Sequence, residues 1–183
     1  MTSFLLLPLI ALLTGSPPAQ PSRPGSLPGQ SGFWRAVPPA QARRLGPPRL
    51  APARYRVFTV DLTGLRQALA TATPTSGPVL LLPLPDGRQQ AFRMRTTTVL
   101  APELAARYPS LRTYAGQATT ASADYVRLEI TPAGVRALLG RAGSTILIEP
   151  YRAGDTRYSI CFDKNSLPAG SKQVFEVPGG PVR

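Results

Sequence analysis

The sequence predicts an α+β fold: a single compact domain of antiparallel strand hairpins with about three short helices, preceded by a disordered Pro-rich linker. Three observations predict it. From Tyr55 to Asp163, short alternating runs rich in β-formers are separated by turn residues. Three segments within that stretch carry helical spacing or helix-start chemistry. Before Tyr55, prolines crowd the chain and periodicity is missing.

Each element follows in order. Tyr55–Asp61 alternates and is a strand, and Leu62, Leu65 and Leu69 then stand at helical spacing. Pro78–Leu84 is an apolar strand, Pro85-Asp86-Gly87-Arg88 a β-turn, and Gln90–Thr96 the returning strand. Ala101–Tyr108 is a short helix with Pro102 in its first turn. Leu111–Gln117 and Tyr125–Ile130 are strands joined by a small-residue loop. Thr131–Leu139 is expected as a helix, with Thr131 as N-cap and Pro132 at its first position. Gly143–Tyr151 and Arg157–Asp163 are the closing strands, linked through Ala153-Gly154-Asp155.

The flanks differ from this domain. Phe4–Leu13 is a ten-residue apolar run followed by Thr14, Gly15 and Ser16, which suits a signal peptide over 1–16 and is too short for a membrane span. Secretion, or location in the periplasm or cell envelope, is therefore expected. Residues 17–53 are expected as an extended linker that cannot bury enough apolar surface to order itself. Phe33-Trp34 interrupts it with the only Trp of the chain. It is either an anchor docking on the neighbouring domain or a lone aromatic in a linker. The domain proper spans 54–163, and 164–183 is expected as a flexible tail.

Composition excludes much chemistry. The 183 residues contain no His and one Cys. Ser-His-Asp and Cys-His nucleophiles, His-ligated zinc and intrachain disulfides are thereby ruled out. The nine acids (Asp61, Asp86, Glu103, Asp124, Glu129, Glu149, Asp155, Asp163 and Glu176) are scattered and show neither a paired-carboxylate nor a calcium-loop pattern. No catalytic residue, metal site or cofactor is expected. Cys161 is the one soft ligand. As a thiolate it could block a protease zinc, and within Tyr158-Ser159-Ile160-Cys161-Phe162 it could equally be a small core hydrophobe. The net charge is +12, nearly all of it from Arg. From Tyr55 onward the arginines are spaced singly, without a nucleic-acid-binding pattern, so nucleic acid is not an expected partner.

Four segments carry a resemblance. Leu82-Pro83-Leu84-Pro85-Asp86-Gly87, Arg107–Gln117, Leu128–Leu138 and Ile148-Glu149-Pro150-Tyr151, in this order and spacing, resemble the N-terminal propeptide region of secreted bacterial reprolysin-like zinc metallopeptidases. The likeness covers residues 53–163. It implies a domain that assists folding of a metallopeptidase catalytic domain and occludes its cleft, and it makes that catalytic domain the expected partner. The zinc-ligand motif of such precursors needs three His, which this chain lacks. A truncated precursor and a stand-alone propeptide-like domain both fit, and neither makes this chain an enzyme. The alternative function is a secreted or envelope-associated binding module that uses its basic surface on anionic partners.

Overall fold

Alternation of buried and exposed residues recurs through the stretch from Arg56 to Asp163, and strands follow from it. The computed structural model describes residues 30–97, 102–108 and 110–169. The expected signal peptide, residues 17–29 of the expected linker and residues 170–183 of the tail lie outside the described residues.

Seven strands form an antiparallel meander in chain order: β4 (Val79–Pro83), β5 (Gln89–Thr96), β6 (Arg112–Ala118), β7 (Tyr125–Thr131), β8 (Gly134–Arg141), β9 (Ser144–Pro150) and β10 (Tyr158–Asp163). β3 (Arg56–Val60) pairs antiparallel with β10 at the far side. Two three-residue strands, β1 (Gln30–Gly32) and β2 (Trp34–Ala36), then join the two margins. β1 lies parallel on β4 and β2 antiparallel on β3. Because β1 and β2 are separated only by Phe33, this one stretch bridges both outer strands and the sheet becomes a nearly closed barrel.

The α+β expectation is therefore corrected: the architecture is a barrel-like antiparallel sheet with minor helical additions. The decisive error is Thr131–Leu139. It forms the β7–β8 turn and β8, not a helix. Val135, Ala137 and Leu139 are buried, with Arg136 exposed between the first two, a two-residue period. Thr131 Oγ1 accepts from Ala133 N at 3.1 Å, holding a tight turn rather than capping a helix. Gly134 follows at φ +123°, where a Cβ would also approach the Asp155 carbonyl oxygen to 2.8 Å. Helix-start residues and turn residues share the same alphabet here, and strand pairing on both sides decides between them.

A second correction concerns the linker. Within 30–53, expected to be disordered, lie β1, β2 and the six-residue helix α1 (Pro39–Arg44). Trp34 is 2% exposed and belongs to the main core. From Val37 on, the segment lies outside the barrel wall. Val37, Ala42, Leu45 and Leu50 pack on a second cluster of Val57, Tyr151, Ile160 and Phe162. Backbone bonds tie it down: Arg49 N donates to Tyr151 O at 2.8 Å, and Ala53 N to Ser166 O at 2.7 Å. The start of the expected tail is likewise ordered, as a 3-10 turn over Lys164–Ser166 whose N-cap is Asp163.

The barrel interior holds Phe58, Leu80, Leu82, Phe92, Met94, Val126, Leu128, Leu139 and Ile148. One end is stopped by α2 (Leu62–Leu69). The Asp61 side chain accepts from Gly64 N at 2.9 Å, and Leu62, Leu65 and Leu69 are buried. Helix α3 (Pro102–Arg107) connects β5 to β6 and leaves Leu104 exposed.

Candidate functional site

The closed arrangement limits where chemistry or binding can occur. Interior positions are apolar apart from the buried Ser159, β3 and β4 have their outer edges occupied, and what remains is the outward face and the two ends.

At the end opposite α2, Asp124 is 7% exposed, and its Oδ2 accepts from Gln90 Nε2 at 2.8 Å and Arg141 Nε at 3.2 Å. This network is internal and ties β5, β8 and the β6–β7 loop together. Nearby, Asp86 accepts from its own turn neighbour Arg88, which lowers its carboxyl below the usual range. A depression of about 920 Å³ lies beside it, lined by Arg54, Pro85, Asp86, Asp163 and Leu167 among others. Its carboxylates are engaged, Asp86 with Arg88 and Asp163 with Asn165 N. Arg56 donates to the Pro85 O at its margin, at 3.0 Å.

Cys161 faces the interior. It is fully buried, and its Sγ contacts the Pro83 carbonyl oxygen at 3.3 Å. Burial first, then the Asp86 charge, pushes its thiol far above the ordinary range. A thiolate that must reach a partner's zinc needs the reverse environment. Of the two readings of Cys161, the structure supports the small core hydrophobe. Phe33-Trp34 is the docked anchor, not a lone linker aromatic. Among the described residues, no three His, Cys, Asp or Glu side chains converge where they could hold a metal ion. No helix among them is long and apolar enough to cross a membrane.

The outward face of β6–β9 is different in character. Cross-strand register places Leu138 beside Leu147, and Arg136 on the same face. These residues line a groove of about 300 Å³ with Thr113, Arg127, Glu129 and Glu149. Leu138 and Leu147 are only half-buried. Glu149 Oε2 lies 3.2 Å from Arg49 Nη2 and 3.4 Å from Arg136 Nε. Its carboxyl is nonetheless held above the usual range, because desolvation outweighs the two guanidiniums. The groove thus has an apolar floor, a rim of mixed charge, and one carboxylate kept partly out of water.

Sequence reasoning missed this groove because assigning Thr131–Leu139 to a helix removed Leu138 from any sheet face. The Leu147-x-Glu149 alternation was visible; its partner strand was not. Tyr114 and Tyr151 are buried, Tyr151 donating to Gly46 O, while Tyr108 is 52% exposed. The loop 118–123 serves the Asp124 network, with Ala121 packed on the core. No protein-family profile, curated protein or solved structure matches this chain.

Proposed function

We propose that this protein is a non-catalytic, propeptide-like binding domain of a secreted metallopeptidase precursor, either truncated or acting alone. In this reading it assists folding of a metallopeptidase catalytic domain or holds it latent. The single observation that carries the reading is the outward groove of β6–β9. An apolar pair, Leu138 and Leu147, sits inside a rim of Arg127, Glu129, Arg136 and Glu149, which is the composition of a protein-contact patch. The segments that carry the family likeness support it by their placement. Two of them, the Thr131–Gly134 turn and Glu149-Pro150-Tyr151, shape the strands that present this face, while the Pro85-Asp86-Gly87 turn joins β4 to β5.

The mode of contact follows from the barrel. A partner that pairs with a free strand needs an open edge, and here the exposed edges are those of three-residue strands. Contact through side chains on the face is the better fit. The test adds the full chain to a reprolysin-like catalytic domain that has been separated from its own propeptide. Slower substrate cleavage or a higher refolding yield at micromolar concentration is expected. Both effects should weaken in Leu138→Asp and Leu147→Asp proteins whose near-UV circular dichroism is unchanged. No effect of the full chain on either readout would remove the propeptide reading.

A further inference from the structure

Beside the groove, the same outward face carries an arginine cluster of which this reading uses only Arg127. Register places Arg95 on β5 opposite Ala115 on β6, and Ala115 opposite Arg127 on β7. One step along, Arg93 stands opposite Gln117, and Gln117 opposite Tyr125. Arg95 and Arg127 thus flank one small residue from two strands away, at about 10 Å between their Cα atoms. Arg93 and Arg95 are two residues apart on one strand, about 7 Å. All three are exposed, and among the described residues none takes part in an ion pair. The other arginines of this face behave otherwise: Arg136 pairs with Glu149, as does Arg49 from the segment between α1 and β3.

Next to the cations lies an apolar strip. The Tyr125 ring is set against Gly140, where an added Cβ would come within 2.3 Å of it, and Tyr125 remains 49% exposed. Leu138 and Leu147 continue the strip.

We infer that Arg93, Arg95 and Arg127 form a docking face for an acidic protein segment, whose carboxylates meet the three guanidiniums while its apolar side chains rest on Tyr125 and Leu138. This goes beyond the propeptide reading, since it assigns a chemistry to the partner without requiring a protease. Two features select a protein segment over a phosphate polymer. An extended peptide presents side chains on one side every two residues, about 7 Å, which matches Arg93 and Arg95. A continuous anionic track would run from the arginines onto Glu129 and Glu149 on the same face, where it would be repelled.

The experiment titrates a short labelled peptide rich in Glu, with interspersed Leu, against the full chain by fluorescence anisotropy in about 100 mM salt, where exposed charges are partly screened. Replacing Arg93, Arg95 and Arg127 together by Ser should weaken binding about tenfold or more. Replacing Arg35, Arg43 and Arg44, three exposed arginines elsewhere, should change it less than about twofold. Both proteins must keep the parent near-UV spectrum and melting temperature. Single variants at each position provide the comparison if a triple variant does not. Equal losses in the two triple variants, or no binding of the peptide by the parent, would overturn the proposal. Tighter binding of single-stranded DNA or of anionic vesicles with the same dependence on the three arginines would also overturn it, by assigning the face to a phosphate partner. Failure here leaves the protease assay unaffected, so the two readings fall separately.

Discussion

The meander from Val79 to Asp163 and the strap from Gln30 to Ala53 are built on opposite principles. In the meander each strand pairs with its sequence neighbour, turns are short, and alternation tells every side chain which way to point. The strap has two strands of three residues, a six-residue helix without a side-chain cap, and a high proline content. Its order comes from what it touches: the edges of β3 and β4, the interior through Trp34, and the outer wall through Val37, Ala42, Leu45 and Leu50. The meander would be recognisable as strands in isolation. The strap would not, and its structure is borrowed from the wall it covers. The difference teaches that a low-complexity composition describes a segment's own tendency to order and says little about its role as a closure.

The largest effects should come from breaking the strap. Trp34→Ala removes a fully buried side chain and is expected to cost about 3–5 kcal/mol. Deleting residues 1–53 exposes both β3 and β4 and should produce aggregation or loss of cooperative unfolding. Limited proteolysis of the parent should leave the segment Gln30–Ala53 attached to the resistant core. Cleavage near Tyr55 with release of the preceding segment, followed by a stable core, would show that the strap is dispensable. Cys161 gives a second readout. Its buried thiol should react with a disulfide reagent only on opening, and faster in Trp34→Ala than in the parent.

These experiments bear directly on what the sequence made legible. Every meander strand except β8 was recognised with boundaries within two residues, as were β3 and the helix after it, because period-two alternation and Asp-Gly or Ala-Gly turns act locally. β8 was lost because Thr131-Pro132 opens a helix as readily as a turn, and Gly134-Val135-Arg136-Ala137 satisfies both periods over so short a window. Only pairing with β7 and β9 distinguishes them, and pairing is nonlocal. The closure by β1 and β2 depends on contacts with strands about 25 and 50 residues away in sequence, which no local period encodes. The candidate faces shared that fate. Arg93, Arg95 and Arg127 are spaced singly along the chain and become a cluster only when β5, β6 and β7 are laid side by side.

A smaller, sharper contrast lies between two glycines of the meander. Gly116 faces the interior, where an added Cβ would sit 2.5 Å from Met94 Sδ and 2.8 Å from Val126 Cγ1. Gly143 sits in the β8–β9 turn at φ +73°, with no atom within 4 Å of an added Cβ. Gly116→Val should cost about 1–3 kcal/mol or more through overpacking. Gly143→Ala should cost about 1–2 kcal/mol, through its backbone alone. Chemical denaturation of both separates the two origins, since a partly repacked core also makes Gly116→Val more reactive at Cys161. Equal thiol reactivity in the two variants would mean that the wall yields around Gly116 without loosening.

The smallest expected effect is a pH dependence where strap and meander meet. Arg49 of the strap and Arg136 of β8 both reach Glu149 on β9, yet burial holds that carboxyl above its ordinary range. A carboxyl with a raised folded-state pKa binds its proton more readily in the native than in the unfolded chain. Its contribution to stability therefore increases as pH falls from neutrality toward the unfolded value of about 4.3, and declines as pH rises through that window. Glu149→Gln cannot titrate, so the stability difference, parent minus variant, should shift in favour of the parent between pH 7 and pH 5. All other carboxyls are common to both proteins and cancel in the difference. Thermal unfolding of the pair at matched ionic strength measures it. A difference that moves the other way on acidification would mean that the two guanidiniums outweigh desolvation. In that case the Arg49 ion pair is itself a net fastening of the strap, and Arg49→Gln should then destabilise the protein more at pH 7 than at pH 5.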